Sequence, residues 1–318
     1  MPSSRSVAWS TPGFTSFADS LKPDAGVLLR GTLPPATKAH AILTHVHLPS
    51  GPSVPASQGQ HATVGRRFWN AQGRRYARSF FGAPTTRLYR EEEQALLRRH
   101  LGELRGLRLL KLDLWNEAQN TEILLWAARE GAQCFGIDIA ETTARKARDR
   151  GDVRGAPVQV AVADVSALPF SDESFDGIYT MGTLEHLPDP ERAFAEIARV
   201  LRPGGLAIVG VPNRRDPFLF SLASRAVQAT GHYPYGYERW YTNAELRDRL
   251  RAHGLHVDAE DGILFLPWFV RIPDLYLWLH LPGACRLPDL LVRPFRWLAR
   301  RRWLVRRFGY LTVCVARK

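Results

Sequence analysis

Three cysteines in 318 residues, Cys134, Cys285 and Cys314, are too few and too far apart to staple a fold. None forms a C-x-x-C pair, so a disulfide scaffold or a zinc knuckle is disfavoured and a reducing, cytoplasmic setting is expected. No stretch of about 18 uninterrupted apolar residues occurs, which argues against a membrane span. The N-terminus lacks the apolar core of a secretory signal. Acids are nearly missing from one place. Between Arg286 and Lys318 there are nine arginines and a lysine against Asp289 alone, a net +9 out of +12 for the whole chain. So uneven a charge predicts an anionic partner for that stretch and says little about the rest.

What is present is ordinary globular material, 45% hydrophobic and 23% charged, enough for a large buried core. Residues 1–65 are rich in Pro, Ser, Thr and Gly and read as a mostly irregular tail. One short strand is expected at Ala41–His47, where a His45/His47 metal pair is a weaker reading than a surface strand. Residues 66–106 mix arginines with aromatics and contain an amphipathic helix over Arg90–Leu104, a helical cap ahead of the main domain. From Leu107 the pattern alternates. Strands are predicted at Leu107–Leu114, Gln133–Ile139, Val158–Val165, Phe175–Met181 and Leu206–Val211, with helices between them. Thr242-Asn243-Ala244-Glu245 is a capping box opening a further helix. Strand segments at Leu255–Val257 and Ile263–Leu266 follow, and Tyr310–Ala316 supplies a last strand. The fold class is therefore α/β, doubly wound and Rossmann-like, with a mostly parallel sheet and helices on both faces. The domain is expected over 107–265, an aromatic and basic insertion over 266–307, and the final strand over 308–318.

The segment Val158–Asn213 is the most specific. It holds Ala163-Asp164-Val165, Leu168-Pro169-Phe170, Asp172-Glu173-Ser174-Phe175-Asp176, Leu184-Glu185-His186-Leu187-Pro188-Asp189-Pro190 and Arg199-Val200-Leu201-Arg202-Pro203-Gly204-Gly205, in that order. This closely resembles the class I methyltransferase family that includes quinone and small-molecule O- and C-methyltransferases. The resemblance covers roughly residues 107–265. It implies S-adenosyl-L-methionine as cofactor and a seven-stranded sheet whose last strand is antiparallel. It implies that Asp138 accepts from the ribose hydroxyls and Asp164 from the adenine amino group, with Ile139, Val165 and Met181 beside them. A carboxylate suits a diol on chemical grounds. A helix N-cap before Glu141 is the plainer role for Asp138, and the two can coexist.

One loop departs from the family pattern. After the first strand the family has an acid followed by a glycine-rich turn; here the chain reads Asp113-Leu114-Trp115-Asn116-Glu117-Ala118-Gln119. Asp113 matches the acid and every glycine is missing, although bare backbone is what normally lets the cofactor approach. The expectation is a shifted amino-acid tail, met by the side chains of Asn116 and Glu117; weak binding and a retired enzyme kept as a scaffold are the alternatives. Glu185 and His186 fall near where the reacting methyl would lie. A neutral His could take the proton of an oxygen acceptor, or it could merely pack in its turn. Gly182 stands where some relatives of the quinone type carry a further acid, so no metal is expected. Thr180-Met181-Gly182-Thr183 lacks the Pro-Pro-aromatic turn of base methylation, so nucleic acid ranks low. Aromatics and arginines in 264–308 suit either a lid or a helix at a membrane interface. The acceptor is then a small or lipid-like molecule, with sugars or glycolipids as rivals, and Tyr233, Tyr235 and Tyr237 are candidate lining. A peripheral place at the inner face of the membrane is compatible with this.

Overall fold

The computed structural model describes residues 56–75, 78–230, 233, 235–281 and 286–318. The Ala41–His47 strand and its two histidines lie outside them, as do Pro282 and Cys285.

Among the described residues seven strands form one sheet in the order β3-β2-β1-β4-β5-β7-β6. They are β1 Arg108–Lys111, β2 Gln133–Asp138, β3 Gln159–Val162, β4 Phe175–Met181, β5 Leu201–Pro212, β6 His256–Ile263 and β7 Leu311–Arg317. The first five run parallel; β7 is antiparallel to both β5 and β6. The order reverses between β1 and β4, and ligands of such sheets bind at the carboxyl ends there.

The strands are buried on both faces, and successive side chains enter two different clusters. Leu110, Leu112, Ile178 and Val209 pack in one cluster with Phe194 and Ile197 of α6 (Glu191–Val200) and Leu246 of α8 (Asn243–Ala252). Leu109, Tyr179 and Ile208 pack in the other with Leu88, Leu96 and Leu97 of α2 (Pro84–Leu101) and with α4 (Ile123–Arg129). The predicted cap thus supplies one helix, α2, that shares a core with the sheet.

Several boundaries differ from the sequence reading. A helix, α1 (Ala56–Arg75), begins inside the stretch read as an irregular tail. The first strand ends at Lys111, and a short helix, α3 (Trp115–Gln119), follows directly. α6 stops at Val200, and β5 begins at Leu201 with a register shift opposite Phe175 and Gly177. Leu201 is extended (ψ 134°), and proline two residues on drives Arg202 the same way. β6 is one strand with an irregularity at Val257/Ala259, where two segments were expected. Among the described residues the insertion holds three helices, α9 (Trp268–His280), α10 (Arg286–Leu298) and α11 (Arg302–Phe308), with Pro273 and Pro294 inside helices. It docks on α2. Thr85 donates to Asp274 from both its amide (2.8 Å) and its hydroxyl (2.5 Å), and Arg87 and Arg296 pair with Asp289 and Glu91. Between α6 and α8 a further helix, α7 (Phe220–Ala229), was not foreseen.

Candidate active site

Asp113, Asp138 and Asp164 lie at or just after the carboxyl ends of β1, β2 and β3. Asp138 ends β2. One carboxylate oxygen accepts from the Ala140 amide (2.7 Å) and the other from Leu114 (3.0 Å) of the loop after β1. Burial raises its pKa to about 7, although both amides oppose the shift. Two lone-pair directions remain beyond those amides, so the local capping role and a diol-binding role are compatible. Asp164 follows β3, half-buried, and accepts from the Ser166 amide at 2.8 Å. Its neighbours on the adenine side would be Ile139, half-exposed, and Val165, packed in the core. Asp113 accepts from the Thr183 hydroxyl at 3.2 Å, tying the end of β1 to the turn after β4. Met181 is buried against Gly210, where a side chain on the neighbouring strand would collide with its sulfur.

The glycine-free loop closes on itself. Lys111, fully buried, donates to the Asp113 carboxylate and carbonyl (both 2.8 Å) and lies 3.2 Å from Glu117. Burial alone would lower the lysine's pKa; the charges of Asp113 and Glu117 outweigh it and raise the value. Glu117 also accepts from the Leu124 amide (2.9 Å), fixing α4. Asn116 donates to Glu93 of α2 (3.1 Å), and Glu93 accepts from the Tyr179 hydroxyl (2.6 Å). Burial pushes Glu93 to about 7. The side chains of Asn116 and Glu117, expected to meet a cofactor's amino-acid tail, bond here within an internal polar network. The cause is Lys111, a cation on the apolar face of β1 that must be compensated where it stands. Leu114 packs into the space left by Gly136, where a Cβ would come within 2.5 Å of a Leu114 methyl. Trp115 stays half-buried at the head of α3.

After β4 the chain makes a single 3₁₀ turn, Leu184–His186, entered through Gly182 at φ 77°. A left-handed residue is needed there, and a Cβ would crowd the Glu185 carboxyl at 3.3 Å. The Nδ1–H of His186 donates to the Tyr237 carbonyl at 2.9 Å, because a carbonyl can only accept. The lone pair is therefore on Nε2. Burial lowers the ring's pKa to about 4, so it is neutral at pH 7. Glu185 is buried and its pKa is raised well above the usual range, by desolvation and then by Glu238. Trp69 of α1 meets the His186 ring edge-on at 4.9 Å. Asn70 accepts from the Thr142 amide (3.0 Å) at the head of α5 (Glu141–Val153), and Lys146 donates to the Gly73 carbonyl. α1 therefore spans the site from the end of β2 to the end of β4. Sequence reasoning missed it; the one available signal was the aromatic and arginine mixture beginning near residue 66.

Residues 118–209 match the methyltransferase domain family. Over that segment the chain is similar to class I methyltransferases. The match begins at Ala118, so the departing loop lies outside it up to Glu117. A ubiquinone biosynthesis O-methyltransferase of Xanthomonas axonopodis pv. citri is 34% identical over 149 residues, covering 44% of this chain and 61% of that protein. Methyltransferase GfsG of Streptomyces halstedii is 40% identical over 93 residues, 28% of this chain and 34% of the relative. The chain thus spans about three fifths or less of these curated relatives. Among solved structures, magnesium protoporphyrin IX methyltransferase of Synechocystis PCC 6803 with bound SAH superposes with a TM-score of 0.54 at 14% identity, covering 81% of this chain and 99% of that one. At that identity the likeness shows the fold.

Proposed function

We propose that the domain transfers a methyl group from S-adenosylmethionine to a hydroxyl of a small or lipid-like molecule. The nucleoside end of the cofactor suits the residues present: Asp138 for the ribose, Asp164 with Ile139 and Val165 for the adenine, Met181 nearby. At the amino-acid end it would meet the head of α3 in place of bare glycine backbone. Bound, the cofactor supplies an electrophilic methyl and its own leaving group, so the protein mainly orients the acceptor and removes its proton.

One observation carries the oxygen-acceptor reading. His186 is neutral, with Nδ1 held by the Tyr237 carbonyl and the Nε2 lone pair available as a base. Asp113 adds a favourable charge for the proton it takes up. Ubiquinone biosynthesis O-methyltransferases among the relatives support the same chemistry. Calorimetric titration with S-adenosylmethionine and its demethylated product, in the wild type and Asp138→Ala, tests the cofactor. Loss of micromolar binding in the variant is expected. No binding to the wild type would move the reading to a catalytically inactive scaffold, which the self-closed Lys111 loop favours.

A second proposal concerns the insertion, as a contact with anionic membrane. Phe269, Ile272 and Tyr276 expose one face of α9, and Leu290, Leu291 and Trp297 are exposed on α10. Half of the basic stretch is already spent internally: Arg296, Arg302, Arg306, Arg317 and Lys318 pair with Glu91, Asp261, Glu260, Asp258 and Glu173. Arg293, Arg300, Arg301 and Arg307 stay exposed, Arg301 over the Trp297 ring, and are available to lipid headgroups. No described helix is long and apolar enough to cross a membrane. Flotation with phosphatidylglycerol vesicles at low salt, lost in Trp297→Ala/Arg300→Ala, is the expected result; no flotation of the wild type removes this contact.

A further inference from the structure

A cleft of about 380 Å³ opens beside the 3₁₀ turn, lined by Arg214, Arg225, Tyr237, Glu238, Arg239 and Trp240. It adjoins the site through two backbone bonds. The Tyr237 carbonyl holds His186 Nδ1, and the Arg239 amide donates to the Glu185 carbonyl (2.9 Å). Its wall is the segment that runs beside the end of β5, where Tyr241 and Arg214 bond to the backbone of Pro212 and Tyr241. From the other side it is closed by α7, which contributes Arg225.

Three arginines around one cleft are more cation than the protein itself compensates. Arg214 pairs with Glu245 at 3.0 Å. Arg225 is exposed and has no hydrogen bond or ion pair among the described residues. Arg239 has no carboxylate partner among them; its guanidinium lies over the Tyr241 ring, 5.2 Å from the centroid. The acid in the lining does little to balance them. Burial raises Glu238 to about 7, and the Tyr233 hydroxyl donates to it at 2.7 Å. In and next to this cationic wall several buried polar atoms lack hydrogen-bond partners among the described residues, among them Glu185 Oε2, the Tyr241 hydroxyl, Glu238 Oε1 and Trp240 Nε1. Glu185, Tyr237 and Arg239 all act electrostatically on that hydroxyl, so wall and orphans belong to one neighbourhood. Orphaned buried groups of this kind are normally satisfied by something bound.

We propose that the cleft is the acceptor subsite and that it selects an anionic acceptor, one bearing a carboxylate or a phosphate. Arg225 and Arg239 hold the anion, with Arg214 behind them, and the acceptor's hydroxyl reaches toward His186. The guanidinium fork suits both oxyanions, and Arg is the residue that recognises them in two-point geometry. The role as acceptor subsite and the direction of the hydroxyl rest on the proposed methyl transfer; the preference for an anion stands on the cleft alone.

The test is binding, without cofactor. The probes are 3,4-dihydroxybenzoate, its methyl ester, and phenyl phosphate, titrated calorimetrically into the full chain and into Arg225→Ala and Arg239→Ala. At least one anionic probe is expected to bind tenfold or more tighter than the ester, and each variant to weaken it about tenfold while leaving the ester unchanged. The tighter of the two anionic probes names the source, carboxylate or phosphate. Anionic probes that bind no better than the ester, or not at all, overturn the proposal, as does binding indifferent to both substitutions. Because Arg225 is exposed and unpaired, its variant keeps the fold, which thermal unfolding checks. A chain that fails to bind S-adenosylmethionine yet keeps this pattern loses the methyltransferase reading and retains the anion site.

Discussion

Lys111 decides the chemistry of the first loop. A lysine on a buried strand face is tolerated only when carboxylates reach it, and Asp113 and Glu117 do so within 3.2 Å. Removing the cation alone would leave Asp113, Glu117 and Glu93 confronting one another in a low-dielectric setting. Lys111→Met is therefore expected to cost about 3–5 kcal/mol in urea unfolding at pH 8. The loss should shrink toward pH 5, as Glu93, with a pKa of about 7, takes up a proton. An unchanged midpoint would show that the network is not held by the lysine. His186 gives a separate prediction at this scale. With its pKa at about 4, a base of this kind stays active well below the usual histidine range. Activity with a hydroxyl acceptor should hold from pH 7 to about pH 5, and His186→Ala should lower kcat by about 10²–10⁴-fold without weakening cofactor binding. An acid limb near 6.5, or an active alanine variant, would assign the proton to another group.

At the scale of elements, the parts legible in the sequence are those whose signals are local. The capping box is one. Thr242 accepts from the Glu245 amide while Glu245 accepts from the Thr242 amide at 2.8 Å, as the four residues alone predicted. Thr242→Ala should cost about 1 kcal/mol in thermal or urea unfolding; no measurable loss would mean that tertiary packing fixes the start of α8. The alternation of strands and the places of Asp113, Asp138 and Asp164 near strand ends were legible for the same reason. Three elements were not. α1 owes its position to Trp69 against His186 and Asn70 against Thr142, partners more than seventy residues away. α3 forms where the family pattern has a glycine-rich turn, because Asn116 and Glu117 find Glu93, Lys111 and Leu124. The arginine cleft joins α7 to the segment after it, and no spacing rule brings Arg214, Arg225 and Arg239 together.

Across the whole molecule, buried acids set how stability responds to pH. Burial raises Glu92, Glu93, Asp138 and Glu238 each to about 7, against about 4 in an unfolded chain. Between those values the folded state holds protons that the unfolded state has released. Their contribution is thus fully present below about pH 4 and is lost as pH rises through 7. His186 runs the other way. Its folded pKa of about 4 lies below the unfolded value of about 6.5, so stability falls as pH drops through that window. Asp261 does not enter the balance. Burial would raise it, but His100, Arg302 and Arg99 bring it to about 2, so its contribution is lost only in strong acid. Burial also raises Glu117, Glu185, Asp216 and Asp274, so the raised carboxyls outweigh the one depressed imidazole: from pH 8 to pH 5.5 the unfolding free energy should rise, by a few kcal/mol, on the order of 1.4 kcal/mol per shifted unit before relaxation. Urea unfolding across that range measures it. Glu93→Gln should flatten the rise, since a neutral amide keeps the site filled and titrates nowhere. A stability maximum at pH 8, or a slope unchanged in Glu93→Gln, would mean that Lys111 keeps Glu93 ionised and that the buried network is a set of full ion pairs.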